Sequence, residues 1–71
     1  MSVEDYQIVI EHLSEDDGGG YIATVPELPG CMADGETRAD ALRHVEDAIC
    51  AWVRTAEKLG RVIPEPRRAY A

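Results

Sequence analysis

The sequence has few of the features that mark secreted or membrane-bound proteins. Its two cysteines, Cys31 and Cys50, are too few for the disulfide framework of a small secreted domain. No apolar run approaches the roughly 18 residues of a membrane-spanning helix. The first residues, Met-Ser-Val-Glu-Asp, lack the apolar core of a signal peptide. We therefore expect a cytoplasmic protein with reduced thiols and no membrane contact.

Basic residues are scarce too. The 71 residues include 7 Lys and Arg against 14 Asp and Glu, which gives a net charge of −7. Proteins obtain much of their affinity for nucleic acids from a basic surface, so we expect no direct binding of DNA or RNA. An excess of acid suits either an ordinary soluble protein or one that meets a basic partner.

Catalytic and metal-binding motifs are missing as well. His12 and His44 lie far apart in the sequence, which contains neither a Cys-X-X-Cys nor a His-Glu-X-X-His motif. The glycines after Asp17 precede a strand rather than a helix, which argues against a phosphate-binding loop. The adjacent acids Glu15–Asp17 lack the spaced ligands of a calcium loop. No enzyme, metal site or cofactor is predicted.

What the sequence does contain is one small globular domain, organised around residues 20–37. Tyr21–Val25 alternates as a strand, and the proline that follows ends it because proline has no N–H for a neighbouring strand. Pro29-Gly30 predicts a tight turn, with proline fixing φ and glycine allowing a positive φ. Cys31–Ala33 predicts a short third strand, and Thr37 opens a helix.

The first strand is predicted over Tyr6–Leu13. Its alternation places Tyr6, Ile8 and Ile10 on one face and Val9 on the other. Residues 14–19 predict an acidic hairpin loop.

A long helix is predicted over Arg38–Leu59, with Thr37 as N-cap and Gly60 as C-cap. We expect Trp52 to fill the core between helix and sheet, and Cys50 to be buried beside Ile49. One apolar stripe should face the sheet. Its members are Leu42, Val45, Ile49, Trp52, Val53 and Ala56.

The element order predicts an α+β domain, β-β-β-α-β. The first three strands form an antiparallel meander. A last strand over Arg61–Ile63 pairs parallel with the first, which gives the strand order 3-2-1-4. One helix covers only one face of such a sheet, and the other face carries Val9, Leu13 and Ile22. We expect a homodimer or higher oligomer with Val9 and Ile22 in its interface.

Several of these pieces together resemble one family. Gly20-Tyr21, the turn Pro26–Cys31, and Asp34–Thr37 leading to Ala41 look like the N-terminal domain of HicB-type antitoxins. The resemblance covers about Tyr6 to Pro66. It implies a degenerate ribonuclease-H-like fold over residues 1–66, with a tail at 67–71. Many members add a DNA-binding domain, which we do not expect here.

The resemblance also implies a function and a partner. HicB-type antitoxins neutralise a HicA-type toxin, a small basic mRNA-cleaving protein, by direct contact. We expect acidic residues beside the organising stretch to bind such a basic surface. The candidates are Glu27, Asp34 and Glu36 from the turns, with Glu15, Asp16 and Asp17 from the hairpin tip as a second patch.

Two other functions stay open. The chain can be a stand-alone oligomeric interaction module without a toxin. It can also be a residual metal-dependent nuclease, which needs converging carboxylates. Asp5 or Glu11 on the first strand and Glu46 or Asp47 on the helix are available, but the last strand adds none.

Overall fold

A computed structural model describes residues 6–64 of the chain. The strands are β1 (Val9–His12), β2 (Tyr21–Thr24) and β3 (Met32–Gly35), and they precede a single long helix, α1 (Arg38–Leu59). A short 3-10 helix, Glu15–Asp17, lies in the loop between β1 and β2. The small α+β domain expected from the sequence is therefore confirmed.

The three strands form an antiparallel sheet in the order β1-β2-β3. Ala23 lies opposite Ile10 on β1 and Ala33 on β3, while Ile22 lies opposite Glu11 and Asp34. Directly opposed residues share a face of the sheet. The first face packs against α1, and the second carries Ile22 between two carboxylates.

The core lies between α1 and the sheet. From the sheet side, Tyr6, Ala23 and Val25 are buried, and from the helix Val45 and Ile49 are buried. Leu28, in the turn between β2 and β3, is also fully buried. Backbone bonds close this turn on itself, since the Leu28 N–H donates to the Val25 carbonyl and the Cys31 N–H donates to the Leu28 carbonyl. The turn therefore contributes an apolar side chain to the core.

The start of α1 presses against the end of β3 at Gly35. A Cβ at this glycine would collide with the backbone nitrogen of Ala41 and lie 2.7 Å from the Cβ of Asp40. A Cβ at Gly20, on the other side of the same junction, would lie 2.7 Å from the Gly35 carbonyl oxygen. The absence of side chains at these two positions allows β2, β3 and α1 to meet.

The bounds of α1 match the expectation, and so does most of its buried face. Of the predicted stripe, Val45, Ile49 and Ala56 are buried, and Trp52 and Val53 are half-buried. Ala41 and Ala48 face the sheet, whereas Leu42 and Cys50 are exposed, so the predicted burial of these two is wrong. Successive residues are about 100° apart round a helix, and Cys50 therefore points well away from buried Ile49. Ala41 lies at the helix start beside Gly35 and is fully buried.

Trp52 lies at the margin of the core rather than in its centre. It is half-buried, and its indole Nε1–H donates to the carbonyl of Pro29 at 2.9 Å. The expected position of Trp52 is thus partly right. Trp52 connects the helix to the turn between β2 and β3, whereas Ile49 and Leu28 fill the centre of the core.

The expected fourth strand does not form over residues 61–64, so within the described residues the sheet keeps only the 3-2-1 part of the predicted order. Gly60 takes a left-handed conformation, and the Arg61 N–H donates to the Ala56 carbonyl, so the chain turns sharply off the helix. It then returns to the start of the sheet, where the hydroxyl of Tyr6 donates to the Pro64 carbonyl at 2.7 Å. The described residues after α1 are therefore bound to the segment before β1 by a side-chain hydrogen bond and not by the backbone hydrogen bonds of a parallel strand.

Gly35→Ala should lower the free energy of unfolding by at least about 2 kcal/mol, because the added Cβ meets backbone that cannot move without displacing the helix. Gly19→Ala is the matched control. Its φ is +72°, so alanine is strained there, yet its Cβ would meet no atom within 4 Å, and the cost should be about 1 kcal/mol.

Thermal melts separate the two, since about 1 kcal/mol shifts the Tm of so small a domain by roughly 4–8 °C. A melting temperature for Gly35→Ala at or above that of Gly19→Ala would contradict this account of the junction.

Candidate functional site

The predicted acidic residues fall at the two opposite ends of the sheet. We call the first the acidic end: the loop 13–20, residues 34–36 and the first turn of α1. The second is the turn end, which comprises the turn 25–31, the last turn of α1 and residues 61–64. The helix runs from the acidic end to the turn end.

At the acidic end the two patches of the sequence prediction come together. A polar cleft of about 520 Å³ opens between Gly18–Gly20 on one side and Asp34–Glu36 on the other. Asp40, Arg43 and His44 complete its lining. Glu15 and Asp16 are exposed on the 3-10 helix just before the glycines, and Asp17 belongs to the same helix. Two of the six candidate residues, Asp34 and Glu36, thus line this cleft, and the acidic segment Glu15–Asp17 directly precedes its glycines.

Hydrogen bonds at the helix start hold the cleft in shape. The Thr37 hydroxyl oxygen accepts from the Asp40 N–H at 3.0 Å, which confirms Thr37 as the N-cap. The Asp40 carboxylate in turn accepts from Arg43 at 3.0 Å. Asp40 is therefore occupied within the chain, whereas the side chains of Asp34 and Glu36 are exposed.

His44 links the helix to the edge of the sheet. Its Nδ1 lies 2.7 Å from the backbone carbonyl oxygen of Asp34. A carbonyl can only accept, so Nδ1 carries the proton and donates. This contact could not be predicted from the sequence, because the partners are ten residues apart and the acceptor is a backbone carbonyl.

Tyr21 occupies the inner side of the acidic end. Its ring centroid lies 4.9 Å from that of His12 on β1, and the Arg38 guanidinium carbon lies 5.5 Å from the Tyr21 centroid. This stack joins β1, β2 and the first residue of α1. Tyr21 therefore holds the hairpin against the helix start.

Glu27 lies at the turn end, away from the other candidates. Its carboxylate oxygen Oε1 accepts from the Gln7 N–H at 3.0 Å, and its side chain is half-buried. The bond connects the turn between β2 and β3 to the segment that enters β1. Glu27 thus serves the fold, a role that sequence reasoning missed because the partners are twenty residues apart.

The rest of the charge follows the same division. The turn end holds basic side chains on the last turns of α1 and after it, namely Arg54, Lys58 and Arg61. Glu57 and Glu27 are the acids at this end. The acidic end adds Glu11 at the end of β1 and has Arg38 and Arg43 as its cations. The described part of the chain is therefore electrically polar along α1.

Within residues 6–64, no group of three or more His, Cys, Asp or Glu side chains is placed to hold a metal ion. The nuclease candidates Glu11, Glu46 and Asp47 do not form such a group, and Asp5 lies outside the described residues. Burial raises the pKa of the Cys31 thiol, so this cysteine packs as a small apolar side chain. No helix in the same range is long and apolar enough to cross a bilayer.

Comparison with known proteins identifies the family. The sequence model described as the HicB_like antitoxin of bacterial toxin-antitoxin system matches residues 6–70. The chain belongs to the HicB-like antitoxin family. Membership in this family indicates an antitoxin role in a toxin–antitoxin system and a function other than catalysis.

Curated relatives are similar over most of the chain. A UPF0150 protein of Thermoplasma acidophilum is 36% identical over 59 residues, which cover 83% of this chain and 81% of that protein. A UPF0150 protein of Synechocystis sp. is 35% identical over 84% of this chain and 78% of its own length. A UPF0150 protein of Helicobacter pylori is 40% identical over 42 residues, 59% of this chain and 58% of that protein.

Glu27→Lys should lower the free energy of unfolding by about 1 kcal/mol, because it removes the acceptor of the Gln7 N–H. Glu27→Gln should keep most of the stability, since its amide oxygen can still accept. Asp16→Lys makes the same change in net charge at an exposed position and should stay within about 0.5 kcal/mol of the wild type. Chemical denaturation measures all three. Equal stabilities for Glu27→Lys and Asp16→Lys would show that the bond at Glu27 contributes nothing.

Proposed function

We propose that this HicB-like antitoxin neutralises a small, basic, mRNA-cleaving toxin of the HicA type by binding it directly at the acidic end. The observation that supports this proposal is the cleft between Gly18–Gly20 and Asp34–Glu36, which the exposed residues Asp34 and Glu36 line and which directly follows the acids of the hairpin tip. The chain acts without catalysis, cofactor or metal ion. It works in the cytoplasm, where the toxin meets mRNA.

Electrostatics gives the reason for this choice of surface. A protein that binds RNA presents a basic face to the phosphates, and carboxylates of a competitor can face the same groups. They speed the encounter and occupy the places that phosphates would take. An acidic protein bound to the basic face therefore excludes RNA from it.

The acidic end is also suited to binding because its frame is already ordered. Asp34 belongs to β3, and Glu36 lies between β3 and the Thr37 cap. Carboxylates held on short, hydrogen-bonded segments lose little conformational entropy when a partner binds. Asp34, Glu36, Glu15, Asp16 and Asp17 are the proposed contacts. Glu27 lies outside this surface, at the turn end, where its carboxylate already accepts from the Gln7 N–H.

The finer architecture enters the proposal as well. We also propose a degenerate ribonuclease-H-like arrangement of residues 1–66, followed by the tail 67–71. Residues 61–64 form no strand, and the support for this arrangement is the bond from Tyr6 to Pro64, which brings the chain after α1 to the edge beside β1.

Homo-oligomerisation through Val9 and Ile22 is an alternative proposal, and the charge on this face opposes it. Val9 is 37% exposed, and Ile22 is half-buried on the face of the sheet away from α1. Glu11 and Asp34 lie on either side of Ile22, so two copies meeting there would bring carboxylates together. A stand-alone oligomeric module, without a toxin, would use such a surface alone.

Asp34→Lys combined with Glu36→Lys should weaken binding of a small basic HicA-type toxin by at least about tenfold, because attraction becomes repulsion at two contacts. The remaining binding should depend less on salt. Titration calorimetry at two salt concentrations measures both effects. Inhibition of RNA cleavage by the toxin should weaken in parallel.

Glu46→Lys combined with Glu57→Lys is the matched control, with the same change in net charge on residues of α1 that line neither the cleft nor the groove on the other side of the helix. This pair should leave the affinity within about threefold of the wild type. Equal losses in the two double variants would mean that net charge alone matters and that the acidic end is not the binding surface. No binding of the wild type would remove the toxin partner from the proposal.

A further inference from the structure

The large apolar side chains that the described chain leaves exposed cluster at the turn end. Val62 is 89% exposed, Leu59 61% and Met32 52%, and they exceed the other large apolar side chains of residues 6–64. Leu59 and Met32 line one groove, and Val62 directly follows Arg61, which lines it too. An apolar cluster of this kind is typical of a surface that another protein covers.

The groove has a volume of about 310 Å³ and runs between the second half of α1 and residues 30–32. Its helix side includes the small residues Ala48, Ala51 and Thr55, which allow a second helix to approach closely beside the larger Trp52 and Leu59. Apart from the buried Cys31 thiol, its ionisable lining residue is Arg61. The groove is therefore apolar, and its charge is positive.

The positive charge decides against the basic toxin as the occupant. Arg54, Lys58 and Arg61 would all repel a basic surface at this end. A partner with acidic residues beside an apolar helical surface fits instead. A second copy of this chain carries both, since its helix has acids toward its beginning and bases toward its end.

The spacing on α1 is self-complementary. Asp47, Ala51 and Lys58 are exposed and lie on one side of the helix, at i, i+4 and i+11. In an antiparallel pair of helices centred near Ala51 and Thr55, Asp47 of each copy lies opposite Lys58 of the other. A two-fold axis repeats each contact, so one favourable pair becomes two.

We propose that this chain forms a two-fold dimer in which the second halves of two α1 helices pack antiparallel across the groove. Leu59 of each copy covers the small residues Ala48 and Ala51 of the other. Asp47 pairs with Lys58 of the second copy, and the acidic end of one chain lies beside the basic turn end of the other. The hairpin tip and Glu36 stay open, so each copy can still bind a toxin.

Sedimentation equilibrium of the full chain alone, from about 1 to 500 μM, is the test. The wild type should approach twice the chain mass of 7.8 kDa as its concentration rises. The contact covers only a few helical turns, so we expect a dissociation constant in the micromolar range. A wild type that stays monomeric throughout would overturn the proposal without affecting the toxin-binding proposal.

Charge reversal and its rescue locate the interface. Asp47→Lys and Lys58→Glu should each weaken the dimer by at least about tenfold, since each places like charges together twice. The swap Asp47→Lys with Lys58→Asp keeps the net charge of the wild type and should restore the dimer to within about threefold. Asp47→Lys is informative by itself, because it lowers the net repulsion between two acidic chains and would strengthen any dimer formed elsewhere.

Val9→Arg and Ile22→Arg test the other surface. These variants should dimerise as the wild type does, and circular dichroism should confirm that they are folded. Loss of the dimer in either one, with no effect of the changes on α1, would move the interface to the face of the sheet away from the helix and overturn the proposal. Unchanged dimers in both single reversals on α1 would do the same.

Discussion

The close approach of α1 to the sheet at Gly35 is the constraint on which the remaining architecture depends. Because no side chain separates β3 from the helix start, Thr37 can cap the helix immediately after the strand. This short connection fixes the direction in which α1 leaves the sheet. It also places Ala41, with a single methyl group, where a larger residue would push the helix away.

The direction of α1 then sets the electrical polarity of the molecule. The first turn contains Asp40 and the last contains Lys58, an arrangement that complements the dipole of the helix. The hairpin tip and the end of β3 add their acids where the helix begins. The same geometry therefore supports two proposals: a basic partner at the acidic end, and a second copy of the chain along the helix.

Local sequence signals predicted much of this fold. The helix bounds, the Thr37 cap and the Gly60 cap were all predicted, because caps and glycines act within a few residues of where they stand. The hairpin and the three antiparallel strands were predicted from alternation and from the glycines between them. The family resemblance, based on residues 20–37, is confirmed by the match over residues 6–70.

The features that could not be predicted from the sequence depend on contacts between residues that lie far apart in the chain. Helical periodicity identified an apolar side of α1, but it could not show that Ala41 rather than Leu42 faces the sheet, because that depends on the glycine at the end of β3. Likewise, nothing local distinguishes Glu27, bonded to Gln7, from the exposed acids of the other loops. A strand after α1 would depend on backbone pairing with β1, which lies at the other end of the sequence. Residues 61–64 instead contribute one hydrogen bond, from the Tyr6 hydroxyl to the Pro64 carbonyl.

Hydrogen exchange of the chain, alone and with its toxin, tests the central claim most directly: that the acidic end is where the partner binds. The account predicts slower exchange in the complex for amides of residues 13–20 and 34–37, with the second half of α1 unchanged at a fixed chain concentration. Protection confined to the second half of α1 and residues 30–32, with the hairpin tip exchanging as in the free chain, would contradict it.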